Sequence, residues 1–524
     1  MKPLFLYGPP GSGKTTLGKK LAERLALSFY DLDVVIRDEA GCSIPEIFAR
    51  EGEAGFRARE KQTLARFLKA GRCVVALGGG SLLDPESRAA AEQHATVVCL
   101  ACPLDVLRSR IRLAPGTRPL VAGGTDEAAR KLADLMARRA DHYASFPVKL
   151  DVSEANLEAR LAELEVLAGA FRITSGDEPS DIIVGNGLLD SLGAELMPRG
   201  FGKRCVVVAD ANTAPLYAGR VAASLQAAGF TVATTTIPAG EADKNLTTIS
   251  AIWRAFLAAG LGRDDFAVAV GGGVTGDMTG FAAATWMRGI RWVNVSTTLL
   301  SMVDASTGGK TGCDLPEAKN MIGAFHSPSV VVADVATLAT LPVREVRCGL
   351  AEALKHAFIA DPSLAQNLDL FDNLRTASDT ETLGTLVDLD RLAAYVSRAL
   401  AVKVACVRQD PREHGIRAKL NLGHTVGHAV EIATDFRVKH GEGVAIGTVE
   451  EANLAVRLGR AAADWPAQVA AVFAGVGLPT ALPEGLDFAA LADIMRRDKK
   501  KKGGVVRFAL PLGWNEVTLV PVEV

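Results

Sequence analysis

Three histidines lie close together in the second half of the chain. His424, His428 and His440 fall between residues 424 and 440, although all 524 residues contain only eight histidines. If residues 422–434 are helical, His424 and His428 lie four positions apart on one face. Imidazoles bind Zn²⁺ and transfer protons near neutral pH. The spacing predicts a metal site with His424 and His440 as ligands and His428 as a proton-transfer group; the alternative is a set of half-buried structural histidines.

A carboxylate partner for these histidines occurs upstream, in Glu352-Ala-Leu-Lys355-His356. In a helix, Glu352 and Lys355 share a face, whereas His356 lies off it and is predicted to be structural. Glu352 with His424 and His440 would give three protein ligands and leave one position open. That arrangement is typical of catalytic rather than structural zinc.

The beginning of the chain has the spacing of a phosphate-binding loop. The apolar run at residues 4–7 leads into Gly8-Pro-Pro-Gly-Ser-Gly-Lys-Thr-Thr16, after which leucines recur at helical spacing. Between a strand and a helix, this pattern lets backbone N–H groups converge on phosphates, with Lys14 on the β/γ oxygens and Thr15 on Mg²⁺. The sequence therefore predicts ATP with Mg²⁺, bound by Gly11, Ser12, Gly13, Lys14, Thr15 and Thr16.

Polar residues after this loop suit a small anionic acceptor. Residues 29–33 (Phe-Tyr-Asp-Leu-Asp) predict a second strand that carries Asp31 and Asp33 on the side facing the phosphates. Arg57 and Arg139 offer guanidinium groups suited to a carboxylate, and the glycines at 78–80 end a third strand with exposed backbone. A lone arginine is more typical of a solvated surface, and the loop alone does not exclude a gluconate-type or adenylate-type kinase. Together these residues favour a carboxylate-bearing acceptor.

The second part of the chain alternates apolar strands with helices, which predicts a doubly wound parallel sheet with ligands at the carboxyl ends of its strands. The run from Gly271 to Gly280 follows a strand and precedes an apolar helix, so it suits a pyrophosphate at a helix N-terminus. Close strand–helix packing is the alternative explanation for these glycines. Lysines and arginines near Gly-rich turns, among them Lys310, Lys403 and Arg417, indicate an anionic, polyhydroxylated substrate.

Composition excludes several other classes of protein. The chain has a formal net charge of −2 and a pI of about 6.5, so no broad nucleic-acid-binding or membrane-binding face is expected. No apolar run is long enough to cross a bilayer, and no signal-peptide pattern occurs. The eight cysteines are scattered, and Cys99-Leu-Ala-Cys102 ends an apolar run. We therefore expect core thiols in a reducing, cytoplasmic setting.

The first segment resembles the shikimate kinase family over almost its whole length. The matching stretches are the phosphate loop, Asp31-Leu-Asp33, Ile44-x-x-Ile-Phe48, Gly52-Glu53, Phe56-Arg57-x-x-Glu60, Gly78-Gly-Gly80, Arg118-Pro-Leu120 and Arg139-x-x-x-Tyr143. The resemblance implies that shikimate is bound by Asp33, Arg57, Gly79 and Arg139. It also implies that Asp33 interacts with the 3-hydroxyl of shikimate as that hydroxyl attacks the γ-phosphate. It also implies that Arg118, on a lid over residues 112–124, binds nucleotide and stabilises the transferring charge, with Lys14 as the other catalytic cation.

The second segment resembles the 3-dehydroquinate synthase family, again over nearly its full length. The matching motifs are Gly240-Glu-x-x-Lys244, Gly271-Gly-Gly-Val-x-Gly-Asp277, Asp304-x-Ser-x-Gly-Gly-Lys310-Thr-Gly, Lys319-Asn320, Glu352-x-x-Lys355, Glu413-x-Gly-x-Arg417, Asn421-x-Gly-His-x-x-Gly-His428, His440-Gly-Glu442 and Asp498-Lys-Lys500. Pro411 stands where that family commonly has glutamate. The resemblance implies an enzyme with Zn²⁺ or Co²⁺ and with NAD⁺ that is reduced and regenerated in one turnover. It would convert 3-deoxy-arabino-heptulosonate 7-phosphate to 3-dehydroquinate and phosphate.

The same resemblance assigns residues to each part of that site. Glu352, His424 and His440 would hold the metal, and Glu413 and His428 would handle protons. Cofactor contacts are expected from Asp210, Asn212, Gly240, Glu241, Lys244, Gly273, Val274, Thr275, Gly276, Asp277, Thr297, Thr298, Lys310, Lys319, Thr337, Leu338 and Thr340. Substrate contacts are expected from Asp304, Lys310, Asn320, Lys355, Lys403, Arg417, Asn421 and one of Lys499 and Lys500. Arg288 would act across a homodimer contact.

These inferences predict an α/β protein with four segments. A P-loop kinase domain covers residues 1–168 and a linker covers 169–180. An NAD-binding α/β subdomain follows over 181–345, and a mainly helical metal and substrate subdomain covers 346–524, where residues 505–522 form either strands or an extended tail. The predicted function is bifunctional: phosphorylation of shikimate, and cyclisation of the heptulosonate phosphate.

Two other functions fit parts of the sequence. The second segment could be a metal-dependent polyol dehydrogenase or another sugar-phosphate cyclase, fused to a small-acid kinase. An ATP-dependent binding or scaffold module with vestigial sites is a third interpretation, which is disfavoured by the joint presence of Lys14, Thr15, Asp33, Glu352, His424 and His440.

Overall fold

The computed structural model describes residues 2–112, 125–154, 156–175, 178–316, 318–384, 387–498 and 506–523. The chain forms two compact units, Met1–Ala170 and Phe171–Val524. Arg118, Lys499 and Lys500 lie outside the described residues, as does almost all of the lid predicted over residues 112–124.

The first unit is built on a five-stranded sheet. Its strands are β1 (Leu4–Tyr7), β2 (Phe29–Asp31), β3 (Val74–Ala76), β4 (Thr96–Ala101) and β5 (Lys149–Asp151). Their order is β2-β3-β1-β4-β5, and every pairing is parallel. The helices are α1 (Lys14–Leu25), α2 (Leu32–Ala40), α3 (Ile44–Phe67), α4 (Pro85–His94), α5 (Leu104–Arg112), α6 (Thr125–Ala144) and α7 (Leu157–Ala168). Apolar clusters cover both faces of the sheet, as a parallel sheet requires.

The predicted strand over residues 29–33 is shorter than expected. It ends at Asp31, whose backbone is extended and precedes the first helical residue of α2. Asp33 lies in the first turn of that helix, where a carboxylate interacts favourably with the helix dipole. The alternation of a strand therefore does not explain how Asp33 is placed.

The second unit contains a seven-stranded sheet and two hairpins. The sheet order is β6-β7-β14-β11-β10-β8-β9, and the hairpins are β12-β13 and β15-β16. The strands are β6 (Ala170–Ile173), β7 (Ser180–Gly185), β8 (Arg204–Asp210), β9 (Thr231–Ile237), β10 (Phe266–Gly271), β11 (Arg291–Ser296), β12 (Lys310–Leu315), β13 (Ala318–Phe325), β14 (Val330–Asp334), β15 (Val506–Gly513) and β16 (Glu516–Val522). Strands β7, β14, β11, β10, β8 and β9 pair in parallel.

Most helices of this unit come after the last strand of the seven-stranded sheet in chain order. The helices are α8 (Leu192–Leu196), α9 (Gly219–Ala227), α10 (Leu246–Ala258), α11 (Gly273–Thr285), α12 (Val343–Ile359), α13 (Ser363–Gln366), α14 (Leu389–Gln409), α15 (His424–Ala433), α16 (His440–Arg457), α17 (Trp465–Ala474) and α18 (Phe488–Asp498). The residues after 346 are thus mainly helical, as predicted. The β15–β16 hairpin settles the form of the last segment as strands.

The predicted linker over residues 169–180 is partly structured. It contains β6, which starts two residues after α7 and pairs at the edge of the seven-stranded sheet, and β7 begins at Ser180. The alternation of Phe171 and Ile173, both buried, with half-buried Arg172 is the strand pattern that this polar, turn-rich stretch concealed.

Glycines let helices α12, α15 and α16 approach one another closely. A Cβ on Gly441 of α16 would lie 2.3 Å from Cys348 Cα of α12. A Cβ on Gly427 of α15 would lie 2.7 Å from the Gly443 carbonyl oxygen of α16. Any side chain larger than hydrogen would push these helices apart, because packed interiors leave no room for an added methyl group.

Among the described residues, no helix is both long enough and apolar enough to cross a membrane. The eight cysteines are all free, and seven of them are buried, in agreement with their interpretation as core thiols.

Candidate active sites

The phosphate loop has the backbone that its glycines predict. Gly8, Gly11 and Gly13 take positive φ angles of 128°, 87° and 92°, which glycine adopts without a Cβ clash. Lys14 Nζ donates to the Gly8 and Pro9 carbonyl oxygens at 2.8 and 2.9 Å. Thr15 is the second residue of α1, and its hydroxyl donates to Asp31 Oδ2 at 2.7 Å. A helix N-terminus, an ammonium group and a hydroxyl–carboxylate pair therefore surround one anion-binding position.

The predicted acceptor residues gather around the glycine turn that follows β3. Arg139 Nη1 donates to the Gly79 carbonyl oxygen at 2.9 Å, and Tyr143 OH donates to the same oxygen at 2.7 Å. A Cβ on Gly80 would lie 3.0 Å from both terminal nitrogens of Arg57, and a Cβ on Gly78 would lie 3.1 Å from Asp33 Oδ1. Asp33 and both arginines thus line one turn, although they come from three separate helices.

Asp33 is electrostatically unusual. Burial, reinforced by the nearby carboxylates of Asp31 and Glu60, raises the pKa of Asp33 to about 6. A carboxylate that is raised to this range remains ionised at neutral pH and is a better proton acceptor than an ordinary aspartate.

The predicted metal ligands in the second unit also converge. Glu352 Oε1 lies 3.4 Å from His424 Nε2 and 3.1 Å from His440 Nε2. The candidate ligand atoms of these three residues all lie within 4.8 Å of one another. His428 is adjacent, with its ring centroid 5.4 Å from that of His424 and 5.7 Å from that of His440. Two imidazole nitrogens and a carboxylate oxygen at this spacing match the donors that Zn²⁺ or Co²⁺ accepts.

The electrostatics of the cluster favour a cation. Burial and the neighbouring Lys355 lower the pKa of His424 well below its usual value, so its imidazole is neutral and Nε2 keeps a lone pair. Although burial opposes it, hydrogen bonds with Glu352 and Glu431 raise the pKa of His440 to about 10. The two carboxylates therefore stabilise positive charge at His440, beside Glu352.

Glu431 is a residue that the sequence analysis missed. Its Oε1 lies 2.9 Å from His440 Nδ1, while His424 Nδ1 lies 3.0 Å from the Leu422 carbonyl oxygen. Each ligand histidine therefore bonds through Nδ1 to an acceptor and presents Nε2 to Glu352. Such partners fix the tautomer and the ring orientation of metal-bound histidines. The position of Glu431, three residues after His428 on a helix, was the only available sign.

Cationic side chains form the rest of this pocket. Lys355 is buried, pairs with Glu352, and donates to the Leu420 carbonyl oxygen at 2.8 Å. Lys403 Nζ lies 2.9 Å from Asp304 Oδ1, and these ammonium groups hold the pKa of Asp304 far below its usual value, although burial opposes this.

Glu413 forms a second part of the same pocket. It pairs with Lys310 and accepts from Asn421 Nδ2 at 2.8 Å. Its φ of 60° is unusual for a residue other than glycine, and such local strain is characteristic of functional sites. The Asp410 carboxylate shapes the surrounding turn by accepting from the backbone N–H groups of residues 414, 415 and 417. Pro411 contributes its carbonyl oxygen to the Arg417 guanidinium.

The predicted cofactor residues lie at the carboxyl edge of the seven-stranded sheet. Asp210 ends β8, and its Oδ2 accepts from the Thr275 hydroxyl of α11 at 2.8 Å. Lys244 Nζ lies 2.7 Å from both Asp277 Oδ2 and Asn320 Oδ1. Glu241 and Lys319 are 3.5 Å apart. Gly273 is the first residue of α11, and Thr297 and Thr298 follow β11. This edge matches the expected site of a dinucleotide in a doubly wound fold.

Arg288, which is predicted to act across a homodimer contact, lies away from this edge. Arg288 is exposed and follows the C-terminal end of α11. Thirteen residues of helix place it about 20 Å from the N-terminal end that faces the cofactor residues. Thr337, Leu338 and Thr340 follow β14 at the carboxyl edge, where Thr337 and Leu338 are almost fully buried and the Thr340 hydroxyl is hydrogen bonded to Tyr217 OH.

Family models match both units of the chain. Residues 10–165 match the family model of shikimate kinase. Residues 234–348 and 349–501 match the models of the N-terminal and C-terminal parts of 3-dehydroquinate synthase. The 3-dehydroquinate synthase of Symbiobacterium thermophilum is 45% identical over 349 residues, which cover 66% of this chain and 95% of that protein. The chain belongs to the 3-dehydroquinate synthase family. With its shikimate kinase domain, it is a bifunctional enzyme of the shikimate pathway.

Solved structures of related cyclases share the fold of the second unit. ValA, the 2-epi-5-epi-valiolone synthase of Streptomyces hygroscopicus solved with NAD⁺ and Zn²⁺, is 28% identical with a TM-score of 0.57, covering 67% of this chain and 95% of its own. A 2-deoxy-scyllo-inosose synthase solved with carbaglucose-6-phosphate, NAD⁺ and Co²⁺ is 24% identical with a TM-score of 0.59, covering 68% and 96%. The higher identity to curated 3-dehydroquinate synthases favours that activity over the other cyclases and over a polyol dehydrogenase.

The raised pKa of Asp33 predicts a pH-dependent kinase. Protonation removes the hydrogen-bond acceptor, so kcat/KM for shikimate should fall as the pH decreases through about 6. Asp33→Asn should lower kcat by about 10²-fold or more and abolish this acid limb. Because folding raises the pKa of Asp33, the protonated carboxyl group favours the folded state, and this stabilisation is lost as the pH rises through about 6. Asp33→Asn should therefore not destabilise the enzyme at neutral pH.

Initial rates between pH 5 and 8 check this prediction. Asp38→Asn, which changes an exposed carboxylate on the same helix, is the matched control and should retain the wild-type profile. An unchanged acid limb in Asp33→Asn would contradict the assignment.

The contact between Glu431 and His440 predicts weaker metal binding when Glu431 is changed. Glu431→Ala should raise the dissociation constant for Co²⁺ about 10- to 100-fold, and Glu431→Gln should raise it less, because an amide can still accept from Nδ1. The visible absorption of Co²⁺ added to metal-free protein measures this affinity without any assay of activity. Glu484→Ala, at an exposed loop position, should bind Co²⁺ as the wild type does. Wild-type affinity in both Glu431 variants would overturn the role of this carboxylate.

Proposed function

We propose that the first unit transfers the γ-phosphoryl group of ATP to the 3-hydroxyl of shikimate through the residues around Gly79. Lys14 and the N-terminus of α1 hold the phosphates, with Thr15 and Asp31 beside the position for Mg²⁺. Asp33 accepts the hydrogen bond of the attacking hydroxyl, and Arg57 and Arg139 hold the carboxylate. The observation that supports this most strongly is the convergence of one raised-pKa carboxyl group and two guanidinium groups on a single glycine turn.

We further propose that the second unit converts 3-deoxy-arabino-heptulosonate 7-phosphate to 3-dehydroquinate and phosphate. Glu352, His424 and His440 would hold Zn²⁺ or Co²⁺, and the donor set fits either ion. The bound metal would polarise a substrate hydroxyl, while NAD⁺ at the carboxyl edge of the sheet would take up and return a hydride. The observation that supports this proposal is the close approach of Glu352 to both imidazoles.

The remaining polar residues of that pocket would bind the anionic groups of the substrate and transfer its protons. Lys355, Lys403 and Arg417 present cationic groups suited to the substrate's phosphate and carboxylate. Glu413 would accept or donate a proton while Lys310 and Asn421 hold its two carboxylate oxygens. His428 stands next to the metal ligands and would exchange the other proton.

We also propose a homodimer in which Arg288 serves the partner's site. Arg288 follows the end of α11 opposite its cofactor end, and the family resemblance makes it a substrate-binding residue. Its left-handed backbone, with a φ of 72° next to Met287 at 49°, holds it in a fixed exposed turn. Exposed Met321 and Phe325 on β13 offer apolar surface in the same unit.

The enzyme is further proposed to act in the cytoplasm, because its eight cysteines are all unpaired thiols. Cell fractionation with an antibody against the chain tests this placement.

The two activities should be separable by single substitutions. His424→Ala, or treatment with a chelator that is then removed before Mg²⁺ is restored, should abolish release of phosphate from the heptulosonate phosphate and leave ATP-dependent phosphorylation of shikimate intact. Lys14→Ala should do the reverse, with a loss of about 10²-fold or more in kinase kcat/KM. Both rates are measured on each full-length variant. Phosphate release that persists without metal, or transfer of NADH to solution during turnover, would contradict the synthase assignment.

The dimer proposal predicts complementation between two inactive synthase variants. In a hybrid of Arg288→Ala with Glu352→Gln, one site receives wild-type Glu352 from its own chain and wild-type Arg288 from its partner, so it should be active. Random exchange of subunits should then restore about a quarter of the wild-type rate. Sedimentation should show a dimer throughout. Full activity of Arg288→Ala alone, or no recovery on mixing, would exclude a role in trans.

A further inference from the structure

The side chain of Tyr7 lies between the phosphate loop and the acceptor turn of the kinase. Tyr7 is the last residue of β1, directly precedes Gly8, and is fully buried. Its hydroxyl donates to the Gly79 carbonyl oxygen at 3.2 Å and lies 3.0 Å from His142 Nε2. The phenol group therefore connects the strand that carries the nucleotide loop to the turn that carries the acceptor residues.

The hydroxyl continues a connection that the backbone cannot extend. The strand ladder between β1 and the turn reaches the bond from Leu77 N–H to the Leu6 carbonyl oxygen. Beyond it, the two loops are in direct contact, since a Cβ on Gly79 would lie 3.3 Å from the Gly8 carbonyl oxygen. A shift of either loop would therefore displace the other loop through Tyr7.

The Tyr7 hydroxyl lies between two polar partners. It donates its single hydrogen to the Gly79 carbonyl oxygen, and in the His142 tautomer that carries a proton on Nε2 the phenolic oxygen also accepts from His142. Burial and the nearby Arg88 and Arg139 lower the pKa of His142. The rings of Phe146 and Tyr143, at centroid distances of 5.1 and 5.6 Å, hold the phenol in place.

We propose that Tyr7 is a positioning residue that couples the nucleotide site to the hydroxy-acid site of the kinase. This rests on the shikimate kinase activity proposed above. Bound phosphates fix the position of the loop that starts at Gly8. Through its hydrogen bond, the Tyr7 hydroxyl then fixes the position of Gly79, whose carbonyl oxygen also binds Arg139. Arg139 is thereby held ready for the acceptor carboxylate. Tyr7 touches neither substrate, so its effect is on affinity rather than on the chemical step.

Tyr7→Phe removes only the hydroxyl and leaves the Gly79 oxygen with two donors, so the variant is expected to fold. Its KM for shikimate should rise about three- to tenfold, the range given by the loss of one hydrogen bond, while kcat should change less than twofold. The dissociation constant of shikimate, measured calorimetrically with and without ADP, should become independent of ADP. Tyr143→Phe removes another donor to the same oxygen, but one not attached to the phosphate loop. It should weaken shikimate binding and keep the wild-type response to ADP.

Tyr30→Phe, which makes the same chemical change at an exposed position of β2, should behave as wild type. An ADP response in Tyr7→Phe equal to that of the wild type would overturn the proposal. Loss of folded structure in Tyr7→Phe would also overturn it, by showing a hydroxyl that the fold itself requires. Wild-type protein that neither binds nor phosphorylates shikimate would instead refute the kinase function, and this inference with it.

Discussion

The buried carboxylate of Glu352 is the constraint on which the synthase half depends. Glu352 is 1% exposed, and a buried charge is tolerated only when it is paired and hydrogen bonded. Lys355, one helical turn away, supplies a full charge, and the two imidazoles supply the other contacts. Three helices must therefore meet at one point. The glycines at 427, 441 and 443 make that meeting possible, since each stands where a side chain would separate two helix backbones.

Both units place their chemistry by the same geometric rule. Parallel strands end at one edge of a sheet, so the loops that follow them are brought together whatever their distance along the chain. In the kinase, the loops after β1 and β3 are adjacent for this reason, and Gly8 contacts Gly79. In the synthase, the loops after β8, β10 and β11 bring together Asp210, Thr275 and Thr297.

Much of this arrangement could be predicted from the sequence, because specific motifs carry their own local structure. The phosphate loop and the strand–glycine–helix run at Gly271 were placed correctly, and so was the helical spacing of Glu352 and Lys355. Asp33 lies beside the glycine turn after β3, but the strand expected to place it there ends at Asp31, and Asp33 belongs to the first turn of a helix. A strand as short as β2 contains too few residues for the alternation of apolar and polar side chains to show where the strand ends and the helix begins.

Contacts that link distant parts of the chain could not be predicted. Glu431 carries no motif, and its role follows only from the crossing of α15 and α16, which places its carboxylate on His440. Tyr7 looks like one more apolar residue of a buried strand. Its hydroxyl acquires a partner from a helix that begins more than a hundred residues later. Sequence periodicity indicates which face a residue lies on, whereas a hydrogen bond depends on which other face is packed against it.

The early start of the second sheet bears on how the two halves could be separated. Helix α7 ends at Ala168 and β6 begins at Ala170, so a single glycine lies between the last helix of one half and the first strand of the next. A truncated synthase beginning at residue 181 would lack this strand. Its outermost remaining strand, β7, would then present unsatisfied backbone groups to solvent and invite edge-to-edge association. A cut on the kinase side of residue 170 would keep β6 paired with β7.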